Sequence, residues 1–282
     1  MPPRKQFGQH WLRSDRALQQ IIAAADLQPG DCVLEIGAGT GILTERLLPL
    51  APVVAVEIDR DLSKALVQKF RSAENLLILE GDILSLNLEP YLAQFPFRRP
   101  NKVVANIPYY ITGAILELLL GSIAHPNPTP FTSLVLLVQK EVGDRLCAKP
   151  GNRTFGALSV RVQYLATCEP ICFVPAKAFY PPPKVDSVVV RLQPRSFSPT
   201  VDNPHKLETL VKLGFSSKRK MLHNNLKSLL DSAELMAILE NLGINPQARA
   251  EELGVADWVA LSNTSDIRLE DSSAVETLET AE

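Results

Sequence analysis

The 282-residue sequence predicts an α/β fold: a parallel sheet with helices on both faces, followed by a small all-α C-terminal domain. Three observations predict it. Cys32-Val-Leu-Glu-Ile-Gly-Ala-Gly-Thr-Gly41 reads as a short buried strand entering a glycine turn, with a helical pattern over residues 42–50. Short apolar runs then alternate with helical periods up to about residue 192, the pattern of a parallel Rossmann-like sheet. Beyond residue 194 the strand signals stop and only short helical periods remain.

Residues 1–12 are basic, hold two aromatics and show no clear period, so they read as an unstructured arm. Arg4, Lys5, Arg13 and Arg16 are alternatively phosphate contacts. The spacing of Leu18, Ile21, Ile22 and Ala25 predicts an amphipathic helix over Asp15–Ala25. Gln28-Pro-Gly-Asp31 is a turn, and the glycine-turn strand follows. Residues 53–58 form a second buried strand and residues 62–71 a helix, whose start suits Asp59 and Asp61. Residues 76–82 form a third strand and Lys102-Val-Val-Ala-Asn106 a fourth. Helical patterns cover 111–121, 141–148 and 156–167, and further strands cover 131–139, 171–174 and 188–192. Between the last two, Pro181-Pro-Pro183 enforces a stiff, extended connection. The shift to Pro, Ser, Asn and Thr over 194–204 marks a domain boundary, with helices expected over 206–215, 218–231 and 233–242. The domains are thus 1–195, 196–263 and an acidic tail, 264–282.

Gly37, Gly39 and Gly41 let the backbone turn sharply and approach a ligand closely. A dinucleotide fingerprint, G-x-G-x-x-G, would need glycine at position 42, which is Ile42. The pattern led by Glu35 instead resembles the first motif of S-adenosylmethionine-dependent methyltransferases; a dinucleotide enzyme or a plain βα turn are the alternatives for the loop alone. Glu57, near a strand's carboxyl end, can accept both hydroxyls of a ribose, which suits either cofactor. Asp82 ends the third strand in Gly81-Asp82 and can accept a hydrogen bond from an adenine amino group; a lone Gly-Asp is otherwise a turn.

The most informative stretch is Asn106-Ile-Pro-Tyr109. It resembles the (N/D)-x-P-(Y/F) motif of methyltransferases acting on planar exocyclic or amide nitrogens. An adenine N6 is a poor nucleophile because its lone pair is delocalised into the ring. The Asn106 side-chain oxygen and the Ile107 carbonyl offer two acceptors for the N6 hydrogens, aimed where positive charge grows during attack on a methyl group. Pro108 removes a competing N–H, and Tyr109 offers a ring for an extruded base. Phe179 or Tyr180, in the proline-stiffened segment, can supply the second face of an aromatic clamp.

Composition narrows the classes further. The chain is 46% hydrophobic, and no apolar run reaches the ~18 residues that span a bilayer. The basic N-terminus lacks the apolar region of a secretory signal. Cys32, Cys147, Cys168 and Cys172 lack metal-ligand spacing and the four histidines are scattered, so no metal site is expected and a reduced, cytoplasmic protein fits. From residue 265 on, six acids face one arginine, so the net −2 resolves into −5 on a tail expected to be disordered and +3 on residues 1–264. That balance permits a nucleic-acid partner without requiring one. Lys218, Arg219, Lys220 and Lys227 form a basic cluster suited to an RNA backbone, or a solvated face.

Together these motifs resemble the bacterial small-subunit ribosomal RNA adenine N6,N6-dimethyltransferases, the KsgA family. The resemblance runs from Lys5 to about Trp258. It is carried by Lys5-Gln-Phe-Gly-Gln-His-Trp-Leu12, Glu35-Ile-Gly-Ala-Gly-Thr-Gly41, Val56-Glu-Ile-Asp-Arg-Asp-Leu62, Gly81-Asp82, Asn106-Ile-Pro-Tyr109, Gln139-Lys-Glu-Val142, Phe179-Tyr-Pro-Pro-Pro-Lys-Val-Asp-Ser187 and the basic segment 215–226. It implies that His10, Leu12, Gly37, Glu57, Asp82 and Asn106 contact S-adenosylmethionine and that Asn106, Tyr109 and Phe179 hold the target adenine. It implies the small ribosomal subunit and its rRNA as partners, two adjacent adenines of the 3′-terminal hairpin as substrate, and no membrane. No long apolar helix face suggests an obligate dimer, so a monomer is expected. One departure is visible: Gln9-His-Trp-Leu12 stands where the family usually has Gln-Asn-Phe-Leu. Two rival readings remain at this level. One is a relative with the same chemistry on large-subunit RNA; the other is an assembly factor for which methylation is dispensable.

Overall fold

The computed structural model describes residues 3–4, 7–265 and 267. In chain order its elements are β1 (Trp11–Leu12), α1 (Asp15–Ala25), β2 (Val33–Ile36), α2 (Thr44–Leu47), β3 (Val53–Glu57), α3 (Arg60–Lys69), β4 (Leu76–Glu80), α4 (Glu89–Leu92), β5 (Lys102–Asn106), α5 (Thr112–Leu120), β6 (Ser133–Gln139) and α6 (Lys140–Leu146). There follow α7 (Ala157–Leu165), β7 (Ala166–Val174), β8 (Phe179–Tyr180), β9 (Ser187–Pro194), α8 (Pro204–Gly214), α9 (Leu222–Asn225), α10 (Ser232–Asn241) and α11 (Val255–Ser262).

The main sheet has seven strands in the order β4-β3-β2-β5-β6-β9-β7. The first five run parallel, and β9 is antiparallel to both β6 and β7. Val33, Val53, Ala55, Val104, Val135, Leu137 and Val189 join one buried cluster with Leu18 and Ile21 of α1. The alternate residues Leu34, Val54, Val56, Val103, Leu134 and Leu136 are buried too. Strand side chains alternate between faces, so both faces are covered, as the near-continuous apolar runs require. The strand order reverses between β2 and β5, where open α/β sheets bind their ligands.

Local chemistry sets the helix ends. Ser14 Oγ accepts from the Ala17 N–H (3.3 Å) to open α1. At the other end of α1, buried Lys102 donates to the Ala25 carbonyl (2.9 Å) and pairs with Asp31 (3.1 Å), a cation where the helix dipole is negative. Asp59 accepts from the Asp61 N–H (3.0 Å) and opens α3. Gly143 of α6 lies so close to β9 that an added Cβ would stand 2.1 Å from Val188 Cγ1. Gly143→Ala is therefore expected to destabilise the fold by about 1–3 kcal/mol, the usual range for overpacking, read as a lower urea midpoint at unchanged slope.

The chain divides into two units. The first comprises the described residues up to Gly121, Pro126–Cys147 and Leu165–Arg195; the second comprises Ser122–His125, Ala148–Tyr164 and the described residues from Ser196 onward. Most of α7 thus groups with the second unit, although it precedes the boundary expected at 195. The second unit has its own apolar core around Phe155, Leu207, Leu222, Leu239 and Trp258.

Four expectations are corrected. The arm is not structureless throughout: Trp11 and Leu12 form β1, antiparallel to β8. The helix expected over 42–50 narrows to α2, four residues. The strand expected at 171–174 starts earlier, at Ala166, and carries a bulge between Pro170 and Cys172. The helix expected over 218–231 is reduced to the four residues of α9. There the Asn225 side chain donates to the Gly214 (2.6 Å) and Ser217 (3.0 Å) carbonyls, stabilising a turn in place of the helix. Asp231 opens α10, accepting from the Ala233 N–H (2.8 Å). The acidic tail expected to be disordered lies outside the described residues, apart from Thr264, Ser265 and Ile267. Among the described residues no helix is long and apolar enough to cross a membrane.

Candidate active site

Two adjoining cavities lie at the carboxyl ends of β2, β3 and β5. One is lined by Phe7 to Trp11, Gly37, Gly39, Glu57 and Asn106-Ile-Pro-Tyr109 among others; the second by Trp11, Leu12, Glu35, Ala38 to Thr40 and Asn106 among others. The parallel strands place the glycine turn, Glu57 and the Asn106 segment side by side because all three end on the same edge of the sheet.

The floor is bare backbone. Gly37 has φ +74°, a conformation other residues rarely adopt, and a Cβ there would stand 3.5 Å from the Asn106 carbonyl oxygen. Glu57 is buried, and its two oxygens accept from the N–H groups of Gly39 (2.7 Å) and Asp59 (2.9 Å). Burial pushes its carboxyl above the ordinary range, while those backbone bonds oppose the shift. Fixed in this way, the carboxylate keeps lone pairs for a ribose diol. Glu35, 1% exposed, accepts from Thr44 Oγ1 (2.6 Å). Burial pushes its carboxyl up to about 8. Sequence reasoning had Glu35 leading the glycine motif without placing it in the site; the structure puts it in the wall of the second cavity.

Asn106 is oriented by the arm. Its Nδ2 donates to the His10 carbonyl (3.2 Å). A carbonyl only accepts, so the amide nitrogen must face it, which leaves Oδ1 as the acceptor available to a ligand. His10 Nδ1 lies 2.7 Å from the Pro181 carbonyl and therefore carries the proton. The His10 and Tyr109 rings stack with centroids 5.9 Å apart and planes 20° from parallel. The Tyr109 hydroxyl and Ser187 Oγ are 2.6 Å apart, which anchors the ring from the start of β9. Burial raises the Tyr109 phenol, so it stays neutral.

The arm is clasped at its other end. Arg4 pairs with Asp59 (3.0 Å) and with Asp61, and Gln9 Nε2 donates to Asp59 (2.9 Å). Of the alternative phosphate contacts, Arg4 is thus engaged by carboxylates. Arg13 lies 4.1 Å over the Tyr180 ring, and Lys5 lies outside the described residues.

Of the residues expected at the site, His10, Leu12, Gly37, Glu57, Asn106 and Tyr109 line one or both cavities. Asp82 and Phe179 line neither. Asp82 stands just past β4, its Oδ1 accepting from the Leu84 N–H (3.0 Å), although Gly81 reaches the Glu57 carbonyl (3.0 Å). Phe179 is 4% exposed and paired with Leu12, packed in the core of the first unit. Burial pushes the Cys32 and Cys147 thiols up to about 11 and Cys168 to about 12, so none of these supplies a thiolate at neutral pH.

Sheet order, glycine turn and strand-end carboxylate suit a nucleoside cofactor, and the acceptors at the end of β5 suit a planar amino group. Enzymes so built are S-adenosylmethionine-dependent methyltransferases, and the residues present fit that cofactor, which supplies the methyl group. The "Ribosomal RNA small subunit methyltransferase A" of Nostoc punctiforme is 62% identical over 269 residues, spanning 93% of this chain and 94% of that protein. A dimethyladenosine transferase from Plasmodium falciparum superimposes with a TM-score of 0.73 at 31% identity, over 89% of this chain and 96% of that one. The 23S rRNA methyltransferase ErmE gives 0.71 at 27% identity, over 89% and 97%. The chain belongs to the ribosomal RNA adenine dimethylase family, which it matches over residues 2–266.

Proposed function

We propose that this protein transfers methyl groups from S-adenosylmethionine to N6 of two adjacent adenines in the 3′-terminal hairpin of small-subunit (16S) rRNA, giving N6,N6-dimethyladenosine during ribosome biogenesis in the cytoplasm. The single observation that carries the choice of RNA is the 62% identity, over nearly the whole length of both chains, to a protein named for the small subunit. The likeness to ErmE, at 27%, favours the same chemistry on other RNA less strongly.

In this reading His10, Leu12, Gly37, Glu57, Asp82 and Asn106 hold the cofactor, with Glu57 taking the ribose hydroxyls and Asp82 the adenine amino group. Asn106 Oδ1 and the Ile107 carbonyl hold the target N6. Tyr109, braced by Ser187, stacks on the flipped base. Phe179 supplies the opposite face after β8 shifts, since it starts from a buried position. After the first transfer N6 keeps one hydrogen, so only one acceptor still binds it, and the pocket must accommodate the first methyl. The methylated amine is acidic enough to lose its proton to water, so no side-chain base is needed. The exposed Lys218, Arg219, Lys220 and Lys227 of the second unit contact RNA phosphates. The protein works as a monomer on the small subunit.

Small subunits lacking this methylation, large subunits and naked rRNA, each incubated with labelled S-adenosylmethionine and mapped by mass spectrometry of nuclease fragments, provide the test. Dimethyladenosine confined to two adjacent small-subunit adenines is expected. Label in large-subunit RNA would overturn the choice of substrate. Subunit binding without any label would leave an assembly factor.

A further inference from the structure

The indole nitrogen of Trp11 is buried and has no hydrogen-bond partner among the described residues. A buried N–H donor without an acceptor is unfavourable and calls for an explanation. Three other buried side-chain atoms share this condition, on Ser133, Ser262 and Trp258, but none of those residues lines either cavity. Trp11 lines both. Its Nε1 would stand 3.7 Å from a Cβ on Gly39, against the glycine turn itself. The residue is held there by its pairing with Tyr180, and the two rings lie 6.5 Å apart.

The two cavities share Trp11, Gly37, Gly39 and Asn106. Glu57 lines only the first and marks the ribose end; Asn106 marks where the methyl group is delivered. Leu12, Glu35, Thr40 and Leu43 line only the second. With the adenine assigned to Asp82 outside both cavities, and ribose and reaction centre so placed, the part of the cofactor still to be housed is its amino-acid half. That half carries the one anionic acceptor on the molecule, the carboxylate, and hydrogen bonds to charged acceptors are the strong ones. We infer that the Trp11 indole N–H donates to the carboxylate of S-adenosylmethionine, acting as a cofactor-binding residue. This contact is particular to a chain with tryptophan at position 11, since phenylalanine has no such donor. The inference rests on the cofactor reading above.

Trp11→Phe keeps an aromatic ring and deletes only the donor, so it tests the contact. Titration calorimetry would compare the full-length protein and the variant with two ligands. S-adenosylhomocysteine keeps the amino-acid half; 5′-methylthioadenosine lacks it. The variant is expected to bind S-adenosylhomocysteine roughly 10-fold more weakly and methylthioadenosine with unchanged affinity. In the 15N-labelled protein one of the two indole N–H resonances, the one missing from the variant, should shift on adding S-adenosylhomocysteine. It should stay in place with methylthioadenosine. Unchanged affinity for S-adenosylhomocysteine, or equal loss for both ligands, would overturn the contact. Failure of the unmodified protein to bind S-adenosylhomocysteine would instead overturn the cofactor reading.

Discussion

Asn106→Ala is expected to lower methyl transfer by about 10²–10³-fold, the usual effect of deleting a dipole aimed at developing charge. With its Nδ2 tied to the His10 carbonyl, the side chain is left with Oδ1 as the acceptor that the proposed substrate would meet. Alanine removes the acceptor and also unties the arm at that point, so some loss of cofactor affinity accompanies the loss of rate. The two are separable by measuring single-turnover rates at saturating cofactor. The fold should change little, within about 1 kcal/mol by urea denaturation, since Asn106 is only partly buried. A normal single-turnover rate would remove Asn106 from the chemistry and leave the Ile107 carbonyl as sole acceptor.

The second large effect concerns stability against pH. Glu35 is buried, and its carboxyl is pushed from an ordinary 4.5 to about 8 by loss of water. The folded state therefore holds a proton that the unfolded chain releases. Stability rises with pH only where the unfolded state binds more protons, so here the sign is negative. The contribution is fully present below pH 4.5, falls as pH rises from 4.5 to 8, and is gone above that. The whole change is about 3–6 kcal/mol. Glu35→Gln keeps the shape without the titration. The difference in unfolding free energy between the original protein and the variant should thus shift in the variant's favour by that amount between pH 4 and pH 9. A difference that stays flat across this range would show that Glu35 is ionised in the folded protein.

Much of this arrangement is legible in the sequence for a physical reason. A parallel sheet puts every strand's carboxyl end on one edge, so polar residues that end successive apolar runs must gather there. Glu57 and Asn106 were found in that way. Glu35 was visible in the same stretch, but nothing local tells whether an acid before a glycine turn faces solvent or a cavity wall. The pairing of Trp11-Leu12 with Phe179-Tyr180 left no signal, because two-residue strands have no period and their partners are remote. The basic segment after Phe215 carries helical spacing, yet Asn225 bonds to two backbone carbonyls and holds a turn instead. Phe179 was read from its motif alone, which says what the residue can stack on but not that its resting place is the core.

The clasp between the two ends of the catalytic unit also orders events during synthesis. His10 emerges from the ribosome well ahead of Pro181, its hydrogen-bond partner, which lies 171 positions later. The His10 ring therefore waits for this partner until nearly all of the sheet has been made, although Arg4 and Gln9 can meet Asp59 much earlier. Contacts of such long range form late in folding. The wall bearing His10 and Trp11 is thus the last part of the pocket to close, and a nascent chain cut short before β8 would carry the Rossmann-like half-sheet with its cofactor cleft still open.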